Sequence, residues 1–231
     1  MAWRSHGRTN ADLVRNLETS ENRIFTSPRV REAMLAVDRG DFTKIDPYQD
    51  SPQGIGCRAT ISAPHMHAAA LEALSETIGN AVKSGQECRV LDVGSGSGYL
   101  TACLAVMAGP TSKVVGIEHI GQLVNDSLAN LKKHHSDMLA SGRLQIIEGD
   151  GRVGYPQLAP YDAIHVGAAS PQMPTDLISQ LKIGGRMVVP VGVAEQRFLQ
   201  VDRINETDIA TKTLMDVIYV PLTDKAAQMC R

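Results

Sequence analysis

The chain has 231 residues, a formal net charge of -2 and 43% hydrophobic residues. That is long enough for one large α/β domain with a substantial core. The balanced charge, with no basic block and no aromatic-basic interleaving, argues against a nucleic-acid partner.

No run is long enough to span a membrane. The opening residues Met1 to Arg8 lack the apolar centre of a secretory signal. Cys57, Cys88, Cys103 and Cys230 fall at no ligand or disulfide spacing, so the expectation is a cytoplasmic protein with reduced thiols.

Taken in chain order, Thr9 or Asn10 is placed to cap a first helix whose Leu13, Val14 and Leu17 share a face. Ser27-Pro28 opens a second helix, with Val30, Met34 and Val37 inward and Gly40 as its stop. From Asp46 to Gly56 two prolines and two glycines argue against a regular element, leaving a linker or a lid over a site.

Cys57 to Ile61 reads as a short strand, and Ser62 as the N-cap of a helix with Pro64 in its first turn. Met66 to Ile78 continues that helix, with Ala69, Leu71, Leu74 and Ile78 available for burial. The N–H groups and hydroxyl at its start make either a plain cap or an anion seat. His65 and His67 have no third ligand in a fitting position, so no metal is expected.

The most informative stretch is Arg89-Val-Leu-Asp-Val-Gly-Ser-Gly-Ser-Gly-Tyr99. Val90, Leu91 and Val93 form a buried strand, Gly94, Gly96 and Gly98 a close-approach loop, and Tyr99 to Met107 a helix. Lys113 to Glu118 is the next strand, and Glu118 at its end is placed to accept hydrogen bonds from two ribose hydroxyls. A dinucleotide fingerprint wants a small residue where Tyr99 stands, and a Walker loop wants a lysine that Val90 to Met107 lacks. A ribose-binding acid without phosphate-binding cations fits S-adenosyl-L-methionine, whose sulfonium suits a site near Asp92. The bland alternative is an ordinary αβ connection.

Gly121 to His135 reads as a helix with Leu123, Leu128 and Leu131 apolar, and His134-His135 meeting its C-terminal dipole. Arg143 to Glu148 is a third strand ending in Gly149-Asp150-Gly151, where Asp150 is either a plain turn residue or an acceptor for an adenine amino group. Tyr161 to Ala169 is a fourth strand whose small terminal residues leave room at the switch-point crevice. Met173 to Leu181 is a helix, Lys182 to Gly185 a turn and Arg186 to Val191 a strand. Arg197 to Ile204 and Leu214 to Val220 are late strands before a polar tail.

Four segments together carry a resemblance. They are Ala59-Thr-Ile-Ser-Ala-Pro-His-Met-His67, Leu91-Asp-Val-Gly-Ser-Gly-Ser-Gly98, Tyr161-Asp-Ala-Ile-His-Val-Gly-Ala-Ala169 and Val220-Pro-Leu-Thr-Asp-Lys225. They closely resemble the protein-L-isoaspartate (D-aspartate) O-methyltransferases of the animal type, over nearly the whole chain. The resemblance implies an α/β fold, a doubly wound and mostly parallel seven-stranded Rossmann-like sheet with an N-terminal helical cap. Residues 1–231 are expected to form a single domain, with 1–80 packed on a sheet core at 88–220.

The resemblance also implies S-adenosyl-L-methionine as cofactor, S-adenosyl-L-homocysteine as product, and proteins or peptides with L-isoaspartyl or D-aspartyl residues as substrates. The enzyme would be a cytoplasmic monomer that starts repair to aspartyl through a succinimide. Ser62 falls on the serine implicated in catalysis. Cofactor positions fall on Ala59, Thr60, Ile61, Ser62, His67, Asp92, Gly94, Ser95, Gly96, Gly98, Glu118, His119, Asp150, Gly151, Thr223 and Gln228. Substrate positions fall on Ile61, Ser62, Val166 and Gly167. Two departures are visible: Glu118 stands where relatives often have Asp, and Tyr99 replaces a smaller aliphatic residue.

An ionised carboxylate with a pKa near 4 needs no general base to accept a methyl group. It needs in-line approach and loss of water, with a light donor such as Ser62 rather than a cationic clamp. The rivals are a catalytically silent adenosine-ligand sensor on the same fold and a small-molecule methyltransferase.

Overall fold

The computed structural model describes residues 5–19 and 23–230. Residues 1–4, where the reading of the opening segment begins, and the side chain of Cys230 lie outside the described part. Helices α1 (Asn10–Thr19), α2 (Pro28–Ala36) and α3 (Pro64–Lys83) precede the large sheet, with the hairpin β1 (Gln53–Gly56) and β2 (Ala59–Ile61) between α2 and α3. Then follow β3 (Arg89–Val93), α4 (Tyr99–Ala108), β4 (Lys113–Glu118), α5 (Gly121–His134), α6 (Ser136–Ala140), β5 (Leu144–Glu148) and β6 (Tyr161–Val166). The chain closes with α7 (Thr175–Ser179), β7 (Leu181–Val191), β8 (Gln196–Arg203), β9 (Ile209–Val217) and α8 (Lys225–Cys230).

The large sheet has seven strands in the order β5-β4-β3-β6-β7-β8-β9. β3 to β7 run parallel, whereas β8 and β9 are antiparallel additions. The chain winds outward from β3 through β4 to β5, then returns to lay β6 on the other side of β3. The switch point therefore falls between the carboxyl ends of β3 and β6, where a crevice for a ligand opens in such sheets.

Alternation along the strands divides the core between two faces. Val90, Val114, Leu144, Ala163 and Val188 join the apolar stripes of α1 to α4 in one buried cluster. Leu91, Val93, Val115, Ile117, Ile164, Val166, Met187 and Val189 form the other cluster, with Leu177 of α7. α4 is buried nearly all round because it lies between the sheet and the N-terminal helices.

Several local readings change. Thr9 is the α1 cap, its Oγ1 accepting from Asp12 N at 3.1 Å, while Asn10 turns inward and donates to Met34 O at 2.8 Å. The stretch from Asp46 to Gly56 is not wholly irregular: Gln53 to Gly56 pairs with β2, because Cys57 and Arg58 adopt positive φ values of 49° and 55° in a two-residue turn.

Ser62 is not the α3 N-cap. That position is Ala63, and the helix begins at Pro64 and extends to Lys83. Lys182 to Gly185 is a bulge inside one continuous β7 rather than a turn before it, since Tyr161 faces Leu181 while Ala163 faces Arg186. A Cβ on Gly185 would stand 2.8 Å from Lys182 O and 2.9 Å from Tyr161 O, so the bulge requires glycine there.

β9 starts five residues earlier than expected. Asn205 Oδ1 accepts from the N–H groups of Thr207 and Asp208, both at 2.9 Å, and turns the chain back at once. Its residues are mostly exposed on both faces, so no apolar alternation marks the strand. α7 is one short turn-and-a-half bounded by Pro174 and Gln180, and the polar tail carries α8.

Candidate active site

At the switch point the β3–α4 loop and the end of β6 meet. Gly94, Gly96 and Gly98 have φ of 78°, 52° and 85°, a run of left-handed backbone that side chains strain against. Gly167 N donates to Val93 O at 2.7 Å, and a Cβ there would stand 3.1 Å from Gly94 O. Two loops thus approach backbone to backbone and leave a crevice between them.

Glu118, buried at the end of β4, forms its rim. Its Oε2 accepts from Gly96 N at 3.1 Å and its Oε1 from Ile120 N at 3.0 Å, so both oxygens are fixed in place with lone pairs to spare.

The cavity is walled by Ala59, Thr60, Gly94, Gly96, Ile117, Glu118, His119, Gly151, Gly167, Ala168, Val220, Pro221, Leu222, Thr223 and Gln228. No Lys or Arg is among them. Gln228 on α8 roofs it: its Nε2 donates to Cys57 O at 2.9 Å and its Oε1 lies 2.7 Å from His119 Nε2. Since the amide oxygen only accepts, His119 carries its proton on Nε2.

Of the positions expected from sequence, Ala59, Thr60, Gly94, Gly96, Glu118, His119, Gly151, Gly167, Thr223 and Gln228 come together around this cavity. Ile61, Ser62, His67, Asp92, Ser95, Gly98, Asp150 and Val166 stand outside its wall. Asp92 is buried beneath the loop with both oxygens engaged, by Thr101 Oγ1 at 2.5 Å and His165 Nδ1 at 2.7 Å. It braces β3 against α4 and β6. Asp150 caps a one-turn 3-10 helix and is gripped by Arg152, which holds its carboxyl below the usual range. Ser95 Oγ is buried with no hydrogen-bond partner among the described residues, beside the crevice.

Ser62 is held through its carbonyl, which accepts from Arg39 Nη2 at 2.9 Å. Burial pushes the phenol of nearby Tyr219 up to about 12. Gln196 in turn brackets Tyr219, accepting from its N–H at 2.6 Å and donating to its carbonyl at 3.1 Å.

The anion seat at the start of α3 has an internal tenant. Asp50 Oδ1 accepts from His65 N at 2.9 Å and lies 2.8 Å from His65 Nδ1. Asp50 is the cap that the sequence had suggested for Ser62, delivered from the loop fourteen residues before α3.

Behind this segment lies a packed polar layer. His67 is buried, with Nδ1 3.3 Å from Arg39 Nη1 and its ring 5.1 Å from Tyr99. Burial and then the Arg39 charge hold its pKa well below 6.5, so it is neutral. Tyr99 meets Phe42 edge-on at 5.6 Å and is buried in the helix interface, with its phenol raised well above 10 by burial. The larger residue at Tyr99 is thus absorbed by the N-terminal cap. Burial raises Cys88 and Cys103 to about 12, so these free thiols stay protonated.

The sequence did not reveal Ile117 and Val220 to Leu222 as cavity walls, whereas Ala168 belongs to the small-residue strand end expected to border the crevice. For Val220 to Leu222 the available signal was the apolar-proline run after the final strand. Pro221 bridges to Ala169, and Ala169 N donates to Val220 O at 2.8 Å, which brings that run across the end of β6. Arg39 and Tyr219 gave no signal at all.

Comparison with known proteins identifies the family. The sequence profile of the family described as Protein-L-isoaspartate(D-aspartate) O-methyltransferase (PCMT) matches residues 8–227. The chain belongs to this family. Among its relatives, the protein-L-isoaspartate O-methyltransferase of Caenorhabditis elegans is 53% identical over 233 residues, covering 100% of both chains. Protein-L-isoaspartate O-methyltransferase 1 of Arabidopsis thaliana is 48% identical, covering 95% of this chain and 94% of that one. A crystal structure of the Plasmodium falciparum PCMT with S-adenosyl-L-homocysteine superposes with a TM-score of 0.84 at 34% identity, covering 94% and 99% of the two chains. The doubly wound PCMT fold expected from the sequence is the one observed.

Among the described residues no group of three or more His, Cys, Asp or Glu is arranged to hold a metal ion, and no helix is long and apolar enough to cross a membrane. The residues at the crevice fit S-adenosyl-L-methionine. A ribose needs a fixed carboxylate, which Glu118 offers, and the cationless wall matches a ligand without phosphate. The orphaned Ser95 hydroxyl is a spare polar group on the same loop.

Proposed function

We propose that this protein methylates the free carboxylate of L-isoaspartyl residues, and more weakly of D-aspartyl residues, in damaged proteins and peptides. The ester then closes to a succinimide without help, and hydrolysis returns part of it to normal aspartyl. The carrying observation is the Glu118–Gly96 rim of a cavity without cations, in a chain of the PCMT family.

S-adenosyl-L-methionine supplies an activated methyl group. The chain supplies the place. Glu118 takes the ribose, and the left-handed glycines let backbone approach the cofactor. His119, Gly151, Thr223 and Gln228 contribute to that cofactor site from the surrounding loops. Ile61, Val166 and Gly167 line the approach of the substrate, and Ser62 orients its carboxylate. The nucleophile is already ionised at neutral pH, so no residue needs to remove a proton. His67 is neutral and buried, which suits packing rather than base chemistry. Val220 to Leu222 and α8 exclude water from the crevice.

The finer reading is a cytoplasmic monomer acting as a single methyltransferase domain over residues 1–231, with no nucleic-acid partner. Matched isoaspartyl and aspartyl peptides, incubated with labelled cofactor and weighed, test the reading. Label on the isoaspartyl peptide alone is expected. Label only on small carboxylic acids indicates a small-molecule enzyme, and binding without turnover indicates a sensor.

A further inference from the structure

Arg39 is the largest fully buried side chain among the described residues, at 0% exposure. A guanidinium removed from water is costly unless a carboxylate receives it. None pairs with it directly among the described residues, the charge of Asp50 acting only from farther off: Arg39 hydrogen-bonds Ser62 O at 2.9 Å and His67 Nδ1 at 3.3 Å, and its Nε has no partner. Its charge sits 5.6 Å over the Tyr99 ring, and burial lowers its pKa only to about 10, so it stays ionised. The fork of donors thus reaches two points on one segment, the carbonyl of Ser62 and the ring of His67 five residues on.

We propose that Arg39 is a positioning residue for methyl transfer, fixing the Ser62 to His67 segment so that the Ser62 hydroxyl faces the substrate carboxylate. This rests on the reading of Ser62 given above. The two contacts do different things. Arg39 Nη2 locks the Ser62–Ala63 peptide plane, which sets the direction of the Ser62 side chain just before α3. Arg39 Nη1 can only donate, so it forces His67 into the tautomer with a lone pair on Nδ1 and the proton on Nε2. Asn10 Oδ1 accepts from Arg39 N at 3.4 Å, tying the arginine's backbone to α1 while its side chain reaches the Ser62 segment.

The experiment uses the full chain, S-adenosyl-L-methionine and an isoaspartyl peptide, and compares wild type, Arg39→Met, Arg39→Lys, Ser62→Ala and Arg39→Lys/Ser62→Ala. Arg39→Lys keeps the charge but loses the planar fork, and stands in should Arg39→Met not fold. The expected result for Arg39→Lys is a single-turnover rate down about tenfold, the scale of one lost charged hydrogen bond. S-adenosyl-L-homocysteine affinity by calorimetry should change less than about threefold, and the 15N shifts of His67 should move toward a mixture of tautomers. In the Ser62→Ala background the lysine should cost little more.

A full wild-type rate in Arg39→Lys overturns the proposal, as does a loss of cofactor affinity in step with the rate, or full multiplication of the two losses. Ser62→Ala at full rate beside a slow Arg39→Lys sinks the reading of Ser62 and leaves Arg39 as positioner of the segment. Ser62→Ala slow beside a fast Arg39→Lys does the reverse.

Discussion

Glu118 Oε2 and Gly96 N are joined at 3.1 Å, so the acid that ends β4 and the loop that follows β3 form one rigid rim. The carboxylate is pre-aimed before any ligand arrives. Pre-aimed groups lose little freedom on binding, so the affinity for the proposed cofactor is expected to depend on this acid.

Glu118→Gln should weaken S-adenosyl-L-homocysteine binding by about 1–3 kcal/mol, the scale of degrading charged hydrogen bonds. The amide also brings an NH2 group that opposes Gly96 N or Ile120 N, so the rim itself loosens. Titration calorimetry on the folded variant checks this, and unchanged affinity removes Glu118 from the cofactor site.

Gln228→Ala should free α8 from the hairpin and from His119, since one amide makes both contacts. Faster dissociation of S-adenosyl-L-homocysteine is expected, measured by stopped flow. In wild type, hydrogen exchange at 223–228 and 46–56 should slow when S-adenosyl-L-homocysteine binds, as for segments that cover a dry site. Equal protection with and without ligand makes both segments plain surface.

Ser62→Ala should lower single-turnover methyl transfer about ten- to a hundredfold and leave cofactor affinity nearly intact, from one hydrogen bond to a charged acceptor. The wild-type rate should show no limb near pH 6.5, because the nucleophile stays ionised to about pH 4. A limb near 6.5 that disappears in His67→Asn would establish a histidine base instead.

Stability should depend on pH through His67 with a definite sign. Its folded pKa is well below 6.5, first by burial and then by the charges of Arg39, His165 and His65. The unfolded chain therefore binds a proton that the folded chain refuses, so stability is full above about pH 6.5 and falls as pH drops toward the lowered value. His135 is lowered by burial and adds in the same direction. Urea midpoints measured from pH 7.5 to 5 should fall, and His67→Gln should flatten the slope. A slope unchanged in that variant would assign the effect elsewhere.

Asp50→Ala should destabilise the fold by about 1–2 kcal/mol, because it removes the cap of α3. Chemical denaturation checks it. A variant of unchanged stability with much weaker peptide binding would instead make the α3 start a substrate seat.

What the sequence determined by itself is local. β4 and α5 lie within a residue of where period and punctuation placed them, and the glycine run before Tyr99 marked the ligand crevice, because each signal is carried by neighbours along the chain. The place of Glu118 at the crevice was legible for the same reason: it closes a buried strand beside the glycine loop.

Tertiary structure decided the rest. Asp92 sits beside the glycines in sequence, yet His165 and Thr101 draw it under the loop, and nothing local announces that pairing. Asp50 rather than Ser62 caps α3, and Arg39 crosses from the N-terminal helices to grip Ser62 and His67. The first half of β9 escaped notice because a stretch exposed on both faces has no apolar period to read. These contacts join residues far apart in the chain, and burial selects their partners only once the sheet has brought them together.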